Sequence, residues 1–247
     1  MLLGLVQGLT EFLPVSSSGH LMLFQRIFHT PDDMLLFDII LHIATLCAVC
    51  LVFRKKIWDL IRHPFCKTNI CLLIATAITC TITLLFKNAI DHITYRALPF
   101  TFLFTALMLA TISFYKPKNP KKEVTYKMGI FTGIMQGIAI APGVSRSGST
   151  ITGALLSGSD RETAADFAFL LAIPIIIASF VYELIDNPHS LGAVQPLNII
   201  LGFIVAFGSG FFAIKFMLKM IKNVKLYWFS VYLGILSIVL FIWFWVI

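Results

Sequence analysis

Charge is scarce in this chain. Only 13% of its 247 residues are Asp, Glu, Lys or Arg, where a soluble domain carries about a quarter. That is too little to clothe a water-facing surface. With 58% hydrophobic residues, the chain reads as an integral membrane protein built of helices. Acids are rarer still than bases, leaving a formal net charge of +7. The excess lies in short segments between apolar runs, with no folded basic domain, which speaks against nucleic acid as a partner. In a membrane protein such charge is read by its location. The five cysteines, Cys47, Cys50, Cys66, Cys71 and Cys80, are odd in number and make no disulfide framework. Cys47 and Cys50 form a C-x-x-C inside an apolar run and read as small packing residues. Met1-Leu2-Leu3 carries no basic stretch or cleavage site, so no removable signal peptide is expected.

What the chain has instead is long apolar runs. A helix crossing a bilayer needs about 20 apolar residues, and six segments qualify: 34–53, 69–86, 98–115, 164–185, 197–220 and 226–247. Two other apolar regions are interrupted. Residues 1–13 run into Pro14 and three serines before a short apolar piece, 21–28. Residues 128–141 run into APGVSRSGST before another, 150–156. Such short pieces fit re-entrant segments, where non-helical backbone at membrane depth must be buried by protein or line a wet cavity.

The interrupted regions are copies of one another. GLVQGLTEFLPVSSSG from Gly4 lies over GIMQGIAIAPGVSRSG from Gly133 without a gap, at an offset of 129. Gln7 meets Gln136, Val15 meets Val144, Gly19 meets Gly148 and Ser17 meets Arg146. Three spans follow each copy. An odd number of crossings starts the second copy on the opposite side, which is an inverted repeat. The expected fold is therefore all-α integral membrane, with six transmembrane helices and two re-entrant helix-loop-helix hairpins in an inverted-topology repeat. It forms a single domain over 1–247. Repeat one covers 1–115, with its hairpin at 1–28, and repeat two covers 128–247, with its hairpin at 128–157.

Loop charges orient the chain. Segments 54–68 and 116–127 each carry five basic residues against one acid, and 215–225 carries four lysines and no acid. The topology places all three on one face. Segments 25–33, 87–97 and 186–196, on the other, are nearly neutral. The positive-inside rule makes the basic face cytoplasmic, so both termini and the mouth of the first hairpin are expected outside.

Each interrupted region ends in Ser–Gly and starts a helix: Ser18-Gly19-His20 and Ser147-Gly148-Ser149-Thr150. Helix N-termini offer unpaired N–H groups and partial positive charge, and they bind phosphate. Arg146 would complete a cationic pocket through bidentate hydrogen bonds. An intramembrane charge is costly and points to function. Ser16, Ser18, Ser145, Ser147, Gly148, Thr150 and Gln7 are the candidate substrate contacts. Gln7 and Glu11, four apart on one helical face, are the candidate ligands of a divalent cation that a pyrophosphate would share; the alternative for Glu11 is a structural pair with Arg146. Ser17 is a candidate nucleophile and His20 its acid–base partner. A single serine or histidine here would read as an N-cap or packing residue; the clustering is what carries the assignment. His42 and Asp38, on one face of the first span, read as a structural pair, with support of the site as the alternative. Asp166 occupies the matching place in the second copy and reads equally as a helix-start carboxylate. Gly4, Gly8, Gly129, Gly133 and Gly137 are spaced for close helix contact and would also permit a homodimer. Trp228, Trp243 and Trp245 read as interfacial anchors, and Pro174 as a kink in the fourth span.

At QGLTEFLPVSSSGH (Gln7 to His20) and PGVSRSGST (Pro142 to Thr150) the chain resembles the undecaprenyl-diphosphatase family, also known for bacitracin resistance. Span order and length resemble it throughout. The resemblance implies a bacterial inner-membrane enzyme that hydrolyses undecaprenyl pyrophosphate to undecaprenyl phosphate with Mg²⁺ or Ca²⁺, recycling the lipid carrier of cell-wall synthesis. It implies Glu11 as essential acid or metal ligand, Ser17 as nucleophile, His20 as acid–base partner and Arg146 as phosphate clamp. Two departures stand out. About ten residues that relatives carry ahead of the first motif are missing, and Gln7 replaces a glutamate common in relatives. The type-2 phosphatidic acid phosphatases use P-S-G-H and S-R-x5-H motifs, but here no histidine follows Arg146 at that spacing and no basic K-x6-R-P stands upstream. A transporter of polyprenyl phosphate is the competing reading, because inverted repeats with broken helices build secondary carriers.

Overall fold

The computed structural model describes residues 1–29, 35–186, 196–222 and 226–246. Its elements are helices: α1 (Leu2–Phe12), α2 (Ser17–Ile27), α3 (Leu35–Val52), α4 (Arg54–Arg62), α5 (Lys67–Asp91), α6 (Leu98–Phe114), α7 (Tyr126–Ile138), α8 (Arg146–Leu156), α9 (Arg161–Asp186), α10 (Pro196–Lys222) and α11 (Leu226–Trp245). Among the described residues, five helices are long and apolar enough to cross a membrane; α3, continued by α4 after an 80° bend, makes a sixth. The protein is an all-α integral membrane protein.

The six expected spans correspond to α3, α5, α6, α9, α10 and α11. The interrupted regions are helix pairs. With 11 residues in α1 and in α2, and 13 and 11 in α7 and α8, each arm is about 16–20 Å long at 1.5 Å per residue. That is about half to two-thirds of the hydrocarbon core. The second pair folds back on itself: a Cβ at Gly153 of α8 would meet backbone of Phe131 and Thr132 in α7. One expectation needs correction. Segment 54–68, read as a loop, is mostly helix, and its turn away from α3 leaves Trp58 and Ile61 exposed beside Arg54 and Lys55. The predicted segments 25–33, 186–196 and 215–225 fall partly outside the described residues, and Lys225 lies wholly outside them.

Small residues bring the hairpins onto the spans, since between helices in lipid close packing replaces the hydrophobic drive. α1 packs along α10 and α7 along α5. A Cβ at Gly4 would lie 2.6 Å from the Gly202 carbonyl oxygen, and one at Gly133 2.8 Å from that of Ala75. The two contacts are equivalent in kind, each hairpin packing on the second span that follows the other hairpin. These glycine faces are occupied within the chain, so a homodimer would use other surfaces. Cys47 and Cys50 are exposed rather than packed, whereas Cys71 is buried against Gly129; all five cysteines are free. α9 runs through Pro174 as one helix, and Trp228, Trp243 and Trp245 face outward. The apolar core, with Phe12, Phe102, Phe167 and Phe169 fully buried, lies beneath the two loops.

Candidate active site

The site is built where the two interruptions touch. Ser16 and Ser145 cap the helices that follow them: Ser16 Oγ accepts from the Gly19 N–H at 3.3 Å, and Ser145 Oγ from the Gly148 N–H at 3.1 Å. The caps satisfy one N–H of each helix start and leave others to point forward. Each start leans on the other loop. A Cβ at Gly19 would lie 2.8 Å from Gly143 Cα, and one at Gly148 3.2 Å from Pro14 Cβ. The Ser147 hydroxyl donates to the Leu13 carbonyl at 3.0 Å, pinning the second helix start to the first turn.

Glu11, at the end of α1, is 4% exposed and lies at the centre. Its Oε2 accepts from the Gln7 amide at 3.0 Å and from the Ser17 hydroxyl; its Oε1 accepts from the Arg146 guanidinium at the first residue of α8. His42 Nε2 of α3 stands 3.6 Å from Oε2. Its Nδ1–H donates to the Asp38 carbonyl at 2.7 Å, which fixes the ring with Nε2 facing the site. Asp38 itself takes two hydrogen bonds from Gln25, at 2.8 and 3.1 Å.

A cavity of about 650 Å³ opens from this centre. Glu11, Ser16, Ser17, Ser18, Ser145, Arg146 and Ser147 form its inner end; it continues between α5 and α9 past Leu84, Ile90, Ile176 and Phe180 to Lys87 and Tyr182. The polar end would hold an anionic head and the groove an apolar tail.

The structure brings Glu11, Ser17 and Arg146 together. It places others differently. His20 is buried outside the cavity lining, with Nδ1 2.8 Å from the Ser16 carbonyl and Nε2 2.8 Å from the Tyr232 hydroxyl. Both ring nitrogens are occupied away from Ser17, so the geometry does not make His20 its acid–base partner. The group that accepts a hydrogen bond from the Ser17 hydroxyl is Glu11. Gln7, Gly148 and Thr150 stand behind the cavity wall: Gln7 lies beneath Glu11, Gly148 fills a close contact, and the Thr150 hydroxyl donates back to the Arg146 and Ser147 carbonyls at 3.0 and 3.1 Å. Asp166 pairs with Lys56 at the far end of the molecule. His42 is the group that sequence reading undervalued; its spacing from Asp38 was visible, its reach to Glu11 was not.

Among the described residues, no three His, Cys, Asp or Glu side chains gather as a metal cluster. The donors present fit a cation carried in by its ligand. Glu11 is a lone buried carboxylate, and beside it the Gln7 Oε1 is buried with no hydrogen-bond partner. Mg²⁺ characteristically binds through one or two carboxylates plus substrate phosphates.

Fold and site together define a class: a polytopic helical membrane protein in which two broken helices present an Arg/Glu/Ser centre at the inner end of an amphiphilic cavity. A family profile described as "Bacitracin resistance protein BacA" matches residues 1–239, and the chain belongs to that family. Curated relatives named "Undecaprenyl-diphosphatase" are similar over nearly their whole length. The protein of Treponema denticola is 44% identical over 99% of this chain and 96% of its own. That of Carboxydothermus hydrogenoformans is 41% identical over 98% and 95%, and that of Halothermothrix orenii 38% over 97% and 95%.

Proposed function

We propose that this protein hydrolyses undecaprenyl pyrophosphate to undecaprenyl phosphate and inorganic phosphate, returning the lipid carrier to cell-wall synthesis in the bacterial inner membrane. One observation carries the chemistry: the Ser17 hydroxyl is hydrogen-bonded to a buried carboxylate whose other oxygen holds Arg146. The diphosphate enters with its tail between α5 and α9, and Arg146 turns from Glu11 to the phosphoryl oxygens. Ser17 Oγ attacks the terminal phosphorus while Glu11 takes its proton. The bridging P–O bond breaks and undecaprenyl phosphate leaves. Water then attacks the phosphoserine, which releases inorganic phosphate and restores Ser17. Arg146 and the free N–H groups of α2 and α8 stabilise the charge spread over the equatorial oxygens. A divalent cation held by Glu11 and the diphosphate would neutralise charge on the phosphoryl oxygens, with Gln7 supporting the carboxylate from behind.

The cavity lies along the later half of α5 and of α9, away from the basic segments 54–68 and 116–127. This supports an inverted repeat with its site open to the extracytoplasmic side. A polyprenyl-phosphate transporter is the second reading. A further cavity of about 440 Å³ at the opposite end, lined by Arg54, Lys55, Glu162 and Asp166, favours it. Phosphate release in detergent, where no sides exist, separates the two. The native protein releases phosphate from the lipid diphosphate with added Mg²⁺, and Ser17→Ala, folded, loses at least about 10³-fold. Near-native turnover in Ser17→Ala would overturn the site.

A further inference from the structure

The backbone of Ser16 has φ +68° and ψ 95°. Among the described residues, the only other non-glycine with positive φ is His29. A non-glycine residue is held there only when its surroundings over-determine it, and such strain clusters at functional sites. The second loop is an internal control. Ser145, the counterpart of Ser16 at the 129 offset, caps its helix in the same way at an unstrained φ of −72°. Strain is therefore confined to the copy that carries Ser17, and capping alone does not demand it.

The same asymmetry marks what holds it. The Ser16 carbonyl accepts twice from His20, from the backbone N–H at 3.2 Å and from Nδ1–H at 2.8 Å. With Nδ1 the donor, Nε2 accepts from the Tyr232 hydroxyl at 2.8 Å. The ring is packed against Phe102 of α6 at 5.3 Å and Tyr232 of α11 at 5.8 Å. In the second loop the place of His20 is taken by Ser149, whose hydroxyl points at the Met108 sulfur. We propose that His20 and Tyr232 are positioning residues: a latch from α11 through the imidazole to the Ser16 carbonyl, which holds the strained turn so that Ser17 meets Glu11. Relaxation of Ser16 would rotate the peptide before Ser17 and carry its hydroxyl away. The latch rests on the reading of Ser17 as nucleophile.

A double-mutant cycle tests it, with phosphate release from undecaprenyl diphosphate by purified protein in detergent at saturating Mg²⁺. Tyr232→Phe should lower kcat about tenfold with KM within about twofold, because a positive-φ residue has lost part of its restraint. Glycine adopts positive φ freely and is nearly as good a cap. In the Ser16→Gly background the same Tyr232→Phe change should therefore lower kcat by no more than about twofold. An unchanged kcat in Tyr232→Phe, or an equal loss in both backgrounds, overturns the latch. Should Ser16→Gly itself be inactive, His20 decides. The amide of His20→Asn can still donate to the Ser16 carbonyl but cannot shuttle a proton, so it should retain at least about tenfold more kcat than His20→Ala. Equal loss in the two makes the ring a proton carrier and sinks the proposal. Failure of the underlying site reading shows separately, as turnover surviving in Ser17→Ala.

Discussion

Replacing Arg146 by methionine removes the only full positive charge hydrogen-bonded to Glu11 in the described structure, and leaves the carboxylate 4% exposed. What remains are neutral hydrogen bonds from Ser17 and Gln7, and His42 at 3.6 Å. A neutral hydrogen bond contributes about 1 kcal/mol net, whereas breaking a buried ion pair by removing one partner costs about 3–5 kcal/mol. The neutral contacts therefore cannot offset the loss. Arg146→Met should melt on the order of 10 °C below the native protein in the same detergent. The double variant Glu11→Gln/Arg146→Met removes both charges and keeps the shapes, so it should recover at least half of that shift. Neither variant should turn over: loss of the phosphate-clamping charge alone lowers kcat by about 10³-fold or more. Thermal melts followed by tryptophan fluorescence, alongside phosphate release, read both quantities. If Arg146→Met melts within about 2 °C of native, or the double variant melts below the single one, the pair is not the desolvated unit described here.

Two further outcomes follow from the same structure. Chelation with EDTA should abolish phosphate release, and Mg²⁺ should restore it, if the proposed cation links Glu11 to the diphosphate; full activity in EDTA would remove the cation from the scheme. Gly133→Val should destabilise the protein by about 1–3 kcal/mol or more, since its Cβ would fall 2.8 Å from the Ala75 carbonyl oxygen, backbone that cannot step aside. Gly208→Ala in α10, with nothing within 4 Å, is the control; paired melting curves that move equally would refute the close-contact account.

The spans were legible because run length against bilayer thickness is a strong constraint, and all six fall close to the helices found. α4 was not. Its nine residues carry Arg54, Lys55, Lys56, Asp59 and Arg62, a charge density that reads as loop unless the alternation of Ile57, Trp58 and Ile61 around a helix is weighed against it. At the site, Glu11, Ser17 and Arg146 stood out as polar residues in an apolar chain. The partnership of Glu11 with Arg146 joins residues 135 apart, and only the matched motifs hinted at it. His20 and His42 show what sequence cannot supply. The motif histidine turns towards Tyr232, 212 residues away, while a histidine outside any motif arrives at the carboxylate through the packing of α3 on α1. Which way a ring faces is decided by tertiary neighbours, not by spacing.

The contact of α1 with α10 has a consequence for biogenesis. α1 leaves the ribosome well before α10, and the groove that receives Gly4 and Gly8 is made of Gly202, Ala206 and Ser209, synthesised about two hundred residues later. At about 5–20 residues per second, α1 waits some 10–40 seconds for its berth. The hairpin that carries Glu11 and Ser17 is thus made long before it can dock, and a chain stalled before α10 holds its glutamate and serine with nowhere to lodge them.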